Sequence, residues 1–166
     1  LFDGETLFGW RAENKADWRA ADGVISATTG NEGLLRTTGQ WGNYVLKVDF
    51  RIAPGGNSGV FLRTPRVVID VNRKTYEVNI AGAGSDFPTG SLVQRQKAEP
   101  VADTPDWHAM EVSADGPHFL VKVDGKQVLD YTDSAPLGRG YIGLQFRTGK
   151  IEFRNVGFSY GTREVL

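Results

Sequence analysis

Apolar and polar residues alternate through most of this chain. Across positions 44–52 the even positions are apolar, with Lys47, Asp49 and Arg51 between them. That period of two predicts a long antiparallel strand with Leu46, Val48 and Phe50 in a core and the three charged side chains pointing away. Met110 and Val112 alternate with Glu111 and Ser113, and Phe119, Val121 and Val123 form a further apolar row. Asp124-Gly125 separates that row from Gln127–Tyr131, a pairing of turn and strands that predicts a β-hairpin. Pro54-Gly55-Gly56, Ala81-Gly82-Ala83-Gly84 and Pro136-Leu137-Gly138 punctuate the rest as loops.

One late segment changes parity. Ile151 and Phe153 are apolar at odd positions, whereas Val156, Phe158 and Tyr160 are apolar at even ones. A strand that buries both sets needs an extra residue, so a β-bulge is expected near Arg154-Asn155. About a dozen short strands with few helices in 166 residues predict one all-β domain over 1–166, a sandwich of two antiparallel sheets.

Composition then removes several functions. Lys and Arg number 19 against 20 Asp and Glu, a formal net charge of -1. Such balance lacks the basic footprint of a nucleic-acid partner. No run of about 18 apolar residues exists to form a membrane-spanning helix. There is no cysteine, which excludes disulfides, thiolate metal sites and cysteine nucleophiles. The chain opens at Leu1 without methionine and reads as a processed segment, compatible with removal of a secretory signal.

Candidate chemistry lies in the polar halves of three strands. In Asn57–Arg63, Ser58, Val60 and Leu62 share one face, leaving Asn57, Gly59, Phe61 and Arg63 on the other. In Tyr76–Ile80, Glu77 and Asn79 oppose the core-like Tyr76, Val78 and Ile80. In Tyr141–Arg147, Tyr141, Gly143, Gln145 and Arg147 oppose Ile142, Leu144 and Phe146. Amides, guanidinium groups, one carboxylate and an aromatic ring together suit a hydroxyl-rich ligand. An ordinary solvated face has the same composition, and Gly59 and Gly143 favour the ligand by leaving room for close approach. His108 and His118 have no triad or metal-site spacing and read as a strand edge and a turn surface. Trp10, Trp18, Trp41 and Trp107 stand at loop–strand junctions, where large aromatics close the ends of a core.

The segments Leu1-Phe2-Asp3-Gly4, Asn57-Ser58-Gly59-Val60-Phe61-Leu62-Arg63, Tyr76-Glu77-Val78-Asn79-Ile80, Thr89-Gly90-Ser91, Ile142-Gly143-Leu144-Gln145 and Phe153-Arg154-Asn155-Val156 follow one another in a familiar order. Together they resemble the 3-keto-disaccharide hydrolase domain family, similar in fold to concanavalin A-like lectins and glucanases. The resemblance implies a jelly-roll sandwich in a periplasmic or secreted setting, cleaving glycosides or oligosaccharides already oxidised to a ketone at C3. It implies Glu77 as base and Arg63 as the clamp for the enolate or a hydroxyl, with Asn57, Phe61, Asn79, Gln145 and Arg147 binding substrate. No cofactor is evident; a divalent metal is an option for holding the enolate oxygen, its ligands unknown. An upstream sugar 3-dehydrogenase is the partner such a substrate calls for.

Two departures stand out: many relatives carry histidine where this chain has Arg147, and an aspartate where it has Ala81-Gly82. The alternative is a non-catalytic carbohydrate-binding module of a larger secreted protein. An ordinary retaining glucanase fits poorly, because Glu77–Gly82 offers one carboxylate where those enzymes resemble Glu-x-Asp-x-x-Glu.

Overall fold

A computed structural model of the protein describes residues 1–67, 73–160 and 163–165. Among the described residues there is no helix, hence none long and apolar enough to cross a membrane. The strands form two antiparallel sheets. The smaller holds β1 (Trp10–Ala12), β4 (Gly33–Thr37), β11 (Tyr141–Phe146), β6 (Asn57–Thr64) and β7 (Tyr76–Ala81), in that spatial order. The larger runs β10 (Lys126–Thr132), β9 (His118–Val123), β8 (His108–Asp115), β5 (Tyr44–Ile52), β12 (Ile151–Tyr160), β3 (Val24–Ala27) and β2 (Arg19–Ala21), with β13 (Arg163–Val165) added to β12. The chain crosses repeatedly between the sheets, so both belong to one jelly-roll sandwich of the concanavalin A-like kind.

Period-two patterning explains why the sheets meet as they do. Leu46, Val48 and Phe50 of β5 are buried, Lys47 is exposed, and Asp49 and Arg51 are half-buried on the outer side, as the alternation predicts. They pack with Val112, Phe119, Val121 and Phe153 of the same sheet against Val60, Leu62, Val78, Ile80, Ile142 and Leu144 of the other. The Asp124-Gly125 turn has φ of 51° and 80°, the doubly positive geometry that matches strand twist in a two-residue hairpin. The bulge expected near Arg154-Asn155 is present: the β5–β12 register slips between Arg154 and Gly157, and Asn155 has φ 52°. Ile151, Phe153, Val156 and Phe158 can therefore all face inward.

The tryptophans divide. Trp10, Trp18 and Trp41 pack against the core, Trp41 with its ring 4.9 Å from that of Phe158. Trp107 does not close the core. Its ring lies under the guanidinium groups of Arg51 and Arg154, at 4.7 and 4.0 Å, side chains that point away from the core of the larger sheet. Its strand-end position is compatible with either face, and the two cations decide for the outer one.

Candidate functional site

The outer face of the smaller sheet carries the polar residues that parity picked out, and register places them in rows. Arg36, Gly143, Phe61 and Glu77 stand side by side across β4, β11, β6 and β7. Leu34 pairs with Gln145 and Gly59 with Asn79 in the next row, with Asn57 two residues further along β6. Glu77 is held from outside as well, because the segment 89–93 runs along β7. There Val93 N–H donates to the Glu77 carbonyl, Asn79 N–H to the Ser91 carbonyl and Gly90 N–H to the Asn79 carbonyl. This edge pairing leaves β7 little freedom to shift.

Glu77 is 7% exposed, and among the described residues no hydrogen bond reaches its carboxylate. Burial raises its pKa to about 7; the positive charge of Arg147 opposes the rise and the negative charge of Glu32 adds to it. The apolar wall that desolvates it is Phe61, its register partner, 2% exposed yet outside the central core cluster. Gln145 is 5% exposed. Its Nε2 faces Glu32 Oε1 at 3.4 Å, while its Oε1 is buried without a hydrogen-bond partner. Asn57 Oδ1 is likewise buried and unpartnered. A buried acceptor left empty is unfavourable by about 1–3 kcal/mol. Gln145 stands two residues along from the row of Glu77 and Asn57 four, all on the outer face, so these orphaned acceptors suit donors from a ligand.

Several expected members of the site behave differently. Arg63 leaves the face altogether. The β6–β11 register shifts between Tyr141 and Gly143, so β6 carries an extra residue there, and Arg63 adopts φ 51°. That bulge reverses parity and turns the side chain inward at the end of the sandwich. Its Nε donates to the Gly42 carbonyl at 2.8 Å, and Nη1 donates to those of Gly116 and Leu137 at 2.7 and 2.9 Å. Its guanidinium lies 5.1 Å from the Phe119 ring and 5.9 Å from that of Tyr76, both core residues. The clamp expected of Arg63 therefore lacks its position: Arg63 does not meet Glu77 and Gln145.

Phe61 shares the face but is too buried to offer its ring for stacking. Asn79 spends its amide Nδ2 on the Phe87 carbonyl, tying the loop after β7 to the sheet. The glycines make room for neighbours rather than for a ligand directly. A Cβ on Gly59 would stand 2.9 Å from Glu77 Oε1, and one on Gly143 would stand 3.0 Å from Leu34 Cδ1. His108 belongs to the other sheet and is buried, not an edge residue; its Nδ1 lies 2.7 Å from Asp124 Oδ2 and its Nε2 3.2 Å from the Thr104 carbonyl. His118 pairs with Asp130 at 2.7 Å, also on the larger sheet.

Residues that sequence reasoning passed over complete the face. Glu32, just before β4, links Gln145 to Arg147, whose Nε is 3.7 Å from Glu32 Oε1. Arg36 is 4% exposed, with Nε donating to Glu13 at 2.6 Å, Nη1 to the Thr37 carbonyl, and its guanidinium over the Tyr141 ring. Beyond Leu34 and Arg36 a cleft of about 260 Å³ opens between them and the Thr64–Val67 segment. Nothing local in the sequence joins Glu32 to Gln145, 113 positions away. Among the described residues no group of three or more His, Cys, Asp or Glu side chains is arranged to hold a metal ion.

The sequence profile of the 3-keto-alpha-glucoside-1,2-lyase-like domain matches residues 1–158. The chain belongs to this family. Over 73 residues, 37% of this chain and 25% of the other, it is 33% identical to a protein named 3-keto-disaccharide hydrolase from Bacteroides thetaiotaomicron. The chain thus spans well under two thirds of that curated relative. A crystal structure of a candidate glycosyl hydrolase from Parabacteroides distasonis superposes with a TM-score of 0.81 at 19% identity, over 96% of this chain and 91% of that one. A carbohydrate-binding module from Bacillus subtilis superposes at 0.75 with 18% identity, over 92% and 96%. At such identities the superpositions speak for a shared fold. Membership of the 3-keto-alpha-glucoside-1,2-lyase-like family fits a glycosyl hydrolase-like or carbohydrate-binding jelly roll.

Proposed function

We propose that the protein cleaves 3-keto-glycosides by elimination across C1 and C2, followed by addition of water. The observation that carries this reading is Glu77: a buried carboxylate with no hydrogen-bond partner among the described residues, raised to about 7, on the same face as the unpartnered Oε1 of Gln145. A base titrating near neutral pH is matched to abstracting a proton acidified by an adjacent ketone. An ordinary glycosidase needs two carboxylates flanking the scissile bond. Here the second carboxylate, Glu32, is bound up with Gln145 and Arg147.

In this scheme Glu77 takes the C2 proton, and the C2–H electron pair forms a C2=C3 enolate. The enolate then collapses: C3=O re-forms, C1=C2 forms, and the C1–O bond to the leaving group breaks. The departing oxygen takes the proton from Glu77. Water adds across C1=C2, placing hydroxyl on C1 and hydrogen on C2, for a net hydrolysis. Gln145 Oε1 and Asn57 Oδ1 accept hydrogen bonds from substrate hydroxyls, and the cleft beyond Leu34 gives room for the leaving group. The substrate's ketone has to be made by a sugar 3-dehydrogenase acting first.

The deciding experiment offers 3-keto-disaccharides and aryl 3-keto-glucosides beside their unoxidised parents, with and without chelator. Sugar release from the oxidised set alone is the expected result. Binding of both sets without release would instead make the protein a carbohydrate-binding module. A narrower expectation concerns Gly59. Alanine there pushes its methyl against Glu77 Oε1 and Cγ, at 2.9 and 3.1 Å before relaxation. Displacing the base should lower turnover roughly tenfold to a hundredfold. Unchanged turnover in a folded Gly59→Ala protein would detach the chemistry from the present position of Glu77.

A further inference from the structure

Elimination through an enolate is accelerated by hydrogen-bond donors or a positive group facing the oxygen on which charge develops. With Arg63 turned into the core, the outer face of the smaller sheet must supply that group from elsewhere. Arg36 is on the face, but it is 4% exposed, its Nε and Nη1 donate to Glu13 and the Thr37 carbonyl, and its guanidinium is stacked on Tyr141. Arg147 lies one residue beyond the end of β11, and its side chain approaches the same Glu32 oxygen as Gln145. Its side chain is 52% exposed, and a loose 3.7 Å approach to Glu32 is its ion pair. It is close enough to lower the pKa of Glu77.

Glu32 has a second effect. The same oxygen, Oε1, that faces Arg147 also faces Nε2 of Gln145 at 3.4 Å. A carboxylate accepts hydrogen bonds and cannot donate them, so it fixes which end of the amide turns outward. Gln145 is thereby oriented with Oε1 inward, where it meets no protein donor. The site then holds an unpartnered acceptor on one side and a half-exposed cation on the other.

We propose that Arg147 is a catalytic residue that takes the negative charge developing on the C3 oxygen, and that Glu32 is a positioning residue holding both Arg147 and the acceptor orientation of Gln145. This rests on the elimination reading given above. In the first step the C2–H bond breaks, its proton passes to Glu77, and the ketone π-pair moves onto O3, opposite the guanidinium. Gln145 Oε1 accepts from a neighbouring hydroxyl of the same sugar. The charged groups facing Glu77 are Arg147 from the end of β11 and Glu32 from the entry to β4; β6 contributes only Gly59 and Phe61, and β7 the neutral Asn79.

The test begins with the unaltered protein, following exchange of the C2 proton in heavy water and release of the leaving group from a 3-keto-glucoside. Absence of both would overturn the elimination reading itself, whatever Arg147 does. With activity in hand, Arg147→Met should lower kcat roughly 10²- to 10³-fold with a much smaller change in KM. Arg147→Lys should recover part of that loss. The acid limb of the pH–rate profile follows deprotonation of Glu77. It should move to higher pH in Arg147→Met, which loses the nearby positive charge, and to lower pH in Glu32→Ala, which loses the negative one. Glu32→Gln should keep more of kcat than Glu32→Ala, because its amide oxygen can still accept from Gln145. A folded Arg147→Met protein with near-normal kcat and an unmoved acid limb would overturn the assignment, and so would an equal response of kcat to Arg147→Met, Arg36→Met and Arg11→Met, Arg11 being the β1 partner of Arg36 in the register of the smaller sheet.

Discussion

Replacing Glu77 by glutamine is expected to remove most turnover while making the protein more stable at alkaline pH. The catalytic half follows from the loss of a proton acceptor at nearly constant size and hydrogen-bonding capacity. General-base catalysis contributes roughly 10²–10⁴-fold, and kcat should fall by that range while affinity for a 3-keto ligand changes far less. The stability half follows from burial. An ordinary glutamate titrates at 4.5, whereas Glu77 in the fold titrates at about 7. Between those values the folded protein retains a proton that the unfolded chain has released. Stability therefore falls as pH rises through this window, and the full penalty, on the order of 3 kcal/mol, is in place above about pH 7. Glutamine carries no charge and escapes it. Urea melts at pH 4.5 and pH 8 should show the variant gaining on the parent only at the higher pH. An equal difference at both would mean that burial of the charge is not what distinguishes the two proteins.

The second large effect concerns Arg63 and is structural. Arg63→Met keeps an unbranched chain but withdraws the donors that satisfy the carbonyls of Gly42, Gly116 and Leu137. Buried acceptors left empty are unfavourable by about 1–3 kcal/mol each, and these three are part-buried, so the loss should total roughly 3 kcal/mol, with a melting temperature lower by on the order of 10 °C. The residual folded protein should turn over at close to the parental kcat, since the side chain does not reach the outer face. Thermal unfolding and single-turnover rates below the transition check both halves. A near-normal melting temperature together with a large fall in kcat would return Arg63 to the site and reject the bulge geometry.

The difference between Arg63 and Arg154 shows how far a pattern along the chain reaches. Near Arg154-Asn155 the apolar positions themselves change parity, so no regular strand can bury Ile151, Phe153, Val156 and Phe158 together, and a bulge is the physical solution visible in the sequence. At Arg63 the strand ends one residue later at Thr64, before Pro65, so no apolar residue follows within it to report that parity has reversed. What places that bulge is the meeting of β6 with β11, strands far apart along the chain, together with carbonyls from three loops that a guanidinium can satisfy. Side-chain alternation also sufficed to put Glu77 and Gln145 on one face, because each lies inside a regular strand.

The sequence by itself determined the all-β sandwich, the hairpin at Asp124-Gly125, the buried row of β5 and the family, since each depends on local periodicity, turn chemistry or short motifs. Only the tertiary structure decided that Arg63 is a core residue, that Phe61 is a desolvating wall, and that Glu32 stands between Gln145 and Arg147. Those outcomes depend on which strands become neighbours and on how buried polar groups are satisfied across them. Such pairings are settled by the whole folded core, over separations that no local pattern encodes.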